Sequence, residues 1–174
     1  KNPGFGAYIN FYLEKNYNKP IVIQIKDSKG NIITTLEHSN AKKGINRVVW
    51  DLGYDGANAL EDKIKQGVNY DGIRPKVIPG KYYANIDYNG QNFSTEISVI
   101  GDTRINMSVS DYKSKLDALL ELRNILSDTH KLIDQFNSVI DQLSILNDKL
   151  GLKNNNLIFD THEKLVAYKD EHLM

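Results

Sequence analysis

Cysteine is absent from all 174 residues, which excludes disulfides, thiolate metal sites and a cysteine nucleophile. The compartment stays open, because a chain without cysteine folds equally well in oxidising surroundings. Histidine is scarce too: His38, His130, His162 and His172 are the whole supply. A fold-back of helices could bring His130 towards the later pair, but a metal site needs three or four converging ligands. These four read as solvated or core histidines. No run approaches eighteen apolar residues, and Lys1 to Gly6 contain no apolar stretch of a signal peptide, so no membrane insertion is expected. A chain opening on Lys1 reads most simply as a processed product or an excised fragment. Net charge is zero, with a mild split. Through Arg104 there are 14 Lys/Arg against 11 Asp/Glu, and from Ile105 there are 8 against 11. Neither half is basic enough to hold a nucleic-acid backbone.

Two periodicities divide what is present. Residues 5–100 alternate in short runs of β-branched and aromatic residues bounded by turns, the pattern of half-buried strands. Ala7–Leu13 is a first strand. Ile21, Ile23 and Ile25 face one way in the next, with Pro20 at its start. Asp27-Ser28-Lys29-Gly30-Asn31 supplies a turn into Ile32–Leu36. Gly44–Leu52 follows, with Val48 and Trp50 on one face. Trp50 suits a core anchor; an exposed ring stacking on a sugar or peptide is the alternative. Lys81–Tyr88, Asn89-Gly90 and Gln91–Val99 predict a hairpin with a type I′ turn. The reading is an antiparallel Ig-like β-sandwich of six or seven strands over 1–104, with Ile23, Ile25, Val48, Trp50, Tyr82, Ala84 and Ile86 inward.

After Asp102 the period changes. Ser108 or Ser110 can cap a helix, with Asp111 near its positive end. Leu119, Leu122, Leu126, Thr129, Ile133, Phe136, Ile140, Leu143, Asn147 and Leu150 recur at steps of three and four, an apolar seam on a helix over 109–149. Gly151 ends it. Thr161 to Leu173 predicts a shorter second helix with Leu165 and Tyr168 inward, so that 105–174 forms a helical hairpin. The second helix reaches only part of the first. The rest of the seam must rest on the sandwich, pair with another copy in a homodimer, or meet chain beyond a truncated end; an ordinary helical appendage is the plainer reading. Leu126, Ile133 and Ile140 are the candidate partner contacts.

Between Gly53 and Ile78 the pattern dissolves into Gly, Asp and Asn, with a weak helical patch from Ala57 to Gln66. Connections of this length often carry binding. Tyr54 and Tyr70 could form an aromatic platform for a glycan. Asp51, Asp55, Asp62 and Asp71 surround the same loop. They could gather calcium or serve acid/base work, or bond their own turns. Asp55-Gly56-Ala57-Asn58 lacks the alternating ligands of an EF-hand. Gly4-Phe5-Gly6 and Gly53-Tyr54-Asp55-Gly56 lack phosphate-loop spacing. No catalytic constellation, metal set or cofactor motif emerges.

Gly6–Leu13, Ile21–Ile25 with Asp27-Ser28-Lys29-Gly30, Gly44–Leu52 and Pro79-Gly80-Lys81-Tyr82 resemble the C-terminal region of large exported bacterial β-propeller proteins. Those proteins carry BNR or sortilin-like repeats and are often described as glycosyl-hydrolase-like or as relatives of the photosystem II assembly factor. The β part also resembles the Ig-like module of flagellar hook capping proteins, which share a Gly-x-Asn-x-x-x-Trp-Asp strand and a Pro-Gly-x-Tyr strand. The resemblance implies a non-catalytic accessory or scaffolding module packed beside an upstream β-propeller of the same protein, secreted, periplasmic or at the cell surface. A carbohydrate-binding module using the 53–78 loop, or a fragment of a glycoside hydrolase whose active site lies upstream, are the alternatives. Ala57–Asn69 departs from the family pattern in being polar and longer than a minimal connection.

Overall fold

The computed structural model describes residues 5–61, 74–151 and 156–172. Six strands come first: β1 (Ala7–Leu13), β2 (Ile21–Asp27), β3 (Ile32–His38), β4 (Gly44–Trp50), β5 (Gly80–Tyr88) and β6 (Gln91–Val99). Two helices follow, α1 (Val109–Leu150) and α2 (Leu157–His172). The strands form an antiparallel β-sandwich of two unequal sheets, β1-β4 and β3-β2-β5-β6. The alternation in the sequence is what selects the faces. Ile21, Ile23 and Ile25 of β2 and Tyr82 and Ala84 of β5 are buried, with Val48 and Ile86 packed half-buried against them.

Turn chemistry sets the register. Asn89 and Gly90 both take positive φ, 52° and 78°, as a type I′ turn demands, and β5 and β6 pair from Tyr88–Gln91 out to Gly80–Val99. In the β2–β3 turn, the Asp27 carboxylate accepts from the backbone N–H of Lys29 and Asn31, at 2.9 and 2.8 Å. Such side-chain bonds replace partners that the reversed backbone cannot supply.

Trp50 is fully buried, which excludes the exposed stacking ring. Its indole Nε1 donates to the Gly53 carbonyl at 3.0 Å, and its ring meets the edge of Tyr82 at 5.5 Å between centroids. Gly6 lies beside the Trp50 backbone with φ 128°. A Cβ there would come within 2.5 Å of the Trp50 carbonyl oxygen, so only glycine lets the chain enter β1 along this path.

Two compact units organise the described residues. The first holds the sandwich, with residues to Gly56 and from Arg74 to Glu121; the second holds Ala57–Glu61 and the helices from Leu122. Ser108 caps α1 in a reciprocal box. Its hydroxyl accepts from the Asp111 N–H at 3.1 Å, and the Asp111 carboxylate accepts from the Ser108 N–H at 3.1 Å, satisfying donors that a helix start leaves open. Gly151 takes positive φ, 59°, and stops the helix. The second helix starts four residues earlier than Thr161. Asn156 is the reason: its side-chain oxygen accepts from the Ile158 N–H at 2.9 Å, so the last member of the Asn run is a cap rather than turn filler. Leu165 is half-buried as expected, whereas Tyr168 is 53% exposed with its ring still 6.0 Å from Phe136.

Trp50→Ala should destabilise the chain by about 3 to 5 kcal/mol, through lost transfer energy and the cavity left behind. Denaturant melts of the two proteins check this. A second expectation concerns alkali. Burial pushes the Tyr82 phenol up to about 12, with the charges of Tyr54 and Asp27 adding to it, while the phenol donates to the Ile78 carbonyl at 2.7 Å. The native state therefore holds this proton more tightly than the unfolded chain, whose tyrosine titrates near 10.0. The stability it contributes is complete below pH 10 and declines as pH rises towards 12, by about 2 kcal/mol. In Tyr82→Phe that share of the alkaline decline should vanish when melts are compared from pH 9 to 12.

Candidate functional site

The long connection is pinned to the sandwich at both of its described ends by one cation. Arg74 lies just before the buried Pro75. Its Nε donates to the Tyr54 carbonyl at 2.6 Å, and its Nη2 donates to the Thr34 hydroxyl at 2.9 Å. Thr34 is fully buried on β3 and donates in turn to the Asp55 carboxylate. Arg74 also pairs with Asp55 at 3.4 Å and lies 3.9 Å from Asp51. Lys76 Nζ completes the group with a 2.8 Å ion pair to Asp51. Partial burial opposes the charge on Asp51, but the Lys76 hydrogen bond and the Arg74 guanidinium outweigh it and hold the carboxyl below its ordinary value. Asp51 also accepts from the Gly53 N–H at 3.0 Å. Asp51 and Asp55 are thus already engaged by two cations and by backbone. Asp62 and Asp71 fall outside the described residues. Among the described residues no three His, Asp or Glu side chains converge as metal ligands would.

Of the proposed aromatic platform, Tyr54 is half-buried and packs against the sandwich core, its backbone N–H donating to the Pro75 carbonyl at 2.8 Å. Tyr70 lies outside the described residues. The sandwich has a different concave feature, a groove of about 600 Å³. The unbroken run Ile9–Lys15 forms one wall, and Ala84, Ile86, Tyr88 and Phe93 are among the residues opposite. Because alternate residues of a strand point to opposite faces, a wall made of consecutive residues is the strand's edge. Among the described residues β1 is paired only with β4, so this edge is the unpaired one there. It stands beside the inward face of β5 and β6, where Phe93 remains 53% exposed. An open edge over such a floor is the chemistry by which sheets accept an extended segment.

In the second unit, α1 has a polar covered side. The Ser127 hydroxyl accepts from the Asn58 N–H at 3.1 Å, and the His130 ring bonds the Asn58 carbonyl. The Asp134 carboxylate accepts from the Glu61 N–H at 3.3 Å. His130, Ile140 and Asn147 are buried on α1. The sheltered line therefore passes through Ser127 and His130, one position round from the expected Leu126 and Thr129. Leu126 is 45% exposed, Ile133 half-buried and Ile140 buried. No helix among the described residues is long and apolar enough to cross a membrane.

Sequence reasoning missed Arg74, Lys76, Asn58 and Ser127. Each makes its tie across the chain with a partner at least nineteen positions away, and no short-range pattern marks that tie. The one local signal was Arg74-Pro75, where proline biases the preceding residue to extended backbone. No protein-family model matches the chain, and no curated protein or solved structure matches it significantly.

Arg74→Met should destabilise the first unit by about 2 to 4 kcal/mol, since it leaves the buried Thr34 and the Tyr54 carbonyl short of a donor. The amides of Tyr54 and Val77, which bond Pro75 and Leu52 across the connection, should lose hydrogen-exchange protection before those of β2. Equal loss at both places would mean that Arg74 supports the whole sandwich rather than the connection.

Proposed function

We propose that this chain is a non-catalytic accessory module that works by packing against other protein surface within a larger exported β-propeller protein. One observation carries the reading. Along α1 in the second unit, large apolar side chains stay exposed, Leu122 at 62% and Leu132 at 65% among them, while the sheltered side is held by polar contacts. A contiguous apolar surface on a soluble chain marks an interaction site. The β-propeller parent and the exported location rest on the strand motifs around Trp50 and Pro79-Gly80. The half-buried Tyr54 and the ion-paired Asp51 and Asp55 favour this reading over a glycan platform or a carboxylate pair.

The test uses the parent protein. Replacing Leu132 and Leu146 together by Lys should make residues 122–172 at least tenfold more sensitive to limited proteolysis there. Helicity of the 174-residue chain itself, read by circular dichroism, should stay unchanged, because both side chains are exposed on its surface. Unchanged sensitivity in the parent would remove the packing role. Glycoside turnover by the purified chain would overturn the non-catalytic assignment.

A further inference from the structure

Among the exposed apolar residues of α1 one set follows a seven-residue repeat, while Val109, Leu119, Leu126 and Ile145 are exposed outside it. Leu122, Ile125, Leu132, Val139, Leu146 and Leu150 are 62%, 57%, 65%, 47%, 38% and 58% exposed. Thr129, Phe136 and Leu143 fill the remaining places, so that steps of three and four run unbroken from 122 to 150. That is the a/d pattern of a helix that pairs with another helix. Phe136 and Leu143 are half-buried, Phe136 facing the ring of Tyr168 on α2. The second helix therefore occupies one flank and leaves the d positions open.

We propose that the occupant of this stripe is a second copy of the same chain, with the two α1 helices antiparallel. The proposal rests on the packing reading above and names the partner. Three features favour it. The stripe is self-complementary in that direction: Leu122 falls opposite Leu146 of the second copy, Ile125 opposite Leu143, Thr129 opposite Val139, and Leu132 opposite Phe136. Every layer joins an a position to a d position, and the two-fold axis makes the contact isologous.

Charge complementarity selects the orientation. The positions flanking the a residues are Glu121, Asp128, Gln135, Gln142 and Lys149. Antiparallel pairing brings Glu121 beside Lys149 of the second copy, and the symmetry makes this pair twice. Gln135 meets its own counterpart near the axis, and Asp128 meets Gln142. In a parallel pair the same positions face Leu126, Ile133, Ile140 and Asn147, and no opposite charges meet. Acidic residues would then lie against apolar ones.

The area points the same way. The six exposed apolar residues of the stripe present roughly 600 Å² per copy, most of the ~800 Å² that each partner of a standard-sized interface buries.

Sedimentation equilibrium of the 174-residue chain is the test. A dimer with a dissociation constant in the micromolar range is expected. Leu132→Lys should weaken it at least a hundredfold while helicity by circular dichroism stays unchanged. Glu121→Lys and Lys149→Glu should each weaken it about tenfold in low salt, and the double swap should return to the wild-type constant. Because the chain has no cysteine, Gln135→Cys offers a single attachment point, and a short bis-maleimide should crosslink two copies there. A wild-type chain that remains monomeric at several hundred micromolar overturns the proposal. So does a dimer indifferent to Leu132→Lys, or a double swap no better than its single parents. If the chain is monomeric while stripe substitutions still expose the parent to protease, the packing reading stands and only the second copy is lost.

Discussion

The burial of Trp50 is the constraint on which the first unit depends. A buried indole must have its N–H satisfied, and the acceptor is the carbonyl of Gly53, three residues on. That requirement bends the chain back immediately after β4 and fixes where the long connection begins. Tyr82 meets the ring from the larger sheet, so one side chain joins β4 to β5 across the core. On its backbone side, Trp50 leaves room for Gly6 alone, which sets the path into β1. A smaller residue at position 50 would remove the first two of these arrangements, while the close approach of Gly6, which is to backbone and to Val49, would remain.

The polar cluster around Arg74 extends that anchor. A guanidinium presents several donors in a fixed plane, and here they reach a buried hydroxyl on β3 and, on the adjacent residues Tyr54 and Asp55, a backbone carbonyl and a carboxylate. The arrangement supplies a donor to the buried Thr34 hydroxyl, which would otherwise keep only its bond to Asp55. Acidic residues that look free in the sequence are thereby the counter-charges of a structural arginine. This is why Asp51 and Asp55 hold the connection in place and do not stand together as an open carboxylate pair.

What was legible in the sequence follows from the range of the interactions. Alternation placed Ile23, Ile25, Trp50 and Ala84 inward because burial on one sheet face repeats every second residue. Asn89-Gly90 declared its turn because few other pairs tolerate two positive φ values in succession. The Ser108 cap and the Gly151 stop were likewise local. Asn156 was legible only as part of a run, and the run hid which Asn does the capping. The contacts of Arg74, Ser127 and His130 were not legible, since their partners lie far along the chain and share no period with them.

The helical seam shows how a local pattern can be right about helix and incomplete about face. Apolar residues on α1 cover more than one narrow stripe, because the every-seventh positions Leu122, Thr129, Phe136, Leu143 and Leu150 belong equally to two neighbouring registers. Hydrophobicity alone cannot choose between them. Within the second unit the choice is made by hydrogen bonding: the backbone around Asn58 and Glu61 brings donors and an acceptor that need polar partners, and Ser127, His130 and Asp134 supply them. Covering that polar side turns the register through Ile125, Leu132, Val139 and Leu146 to the outside. The polar connection, which departs from a minimal loop in length and composition, is thus what keeps the most regular apolar repeat of the chain on the surface.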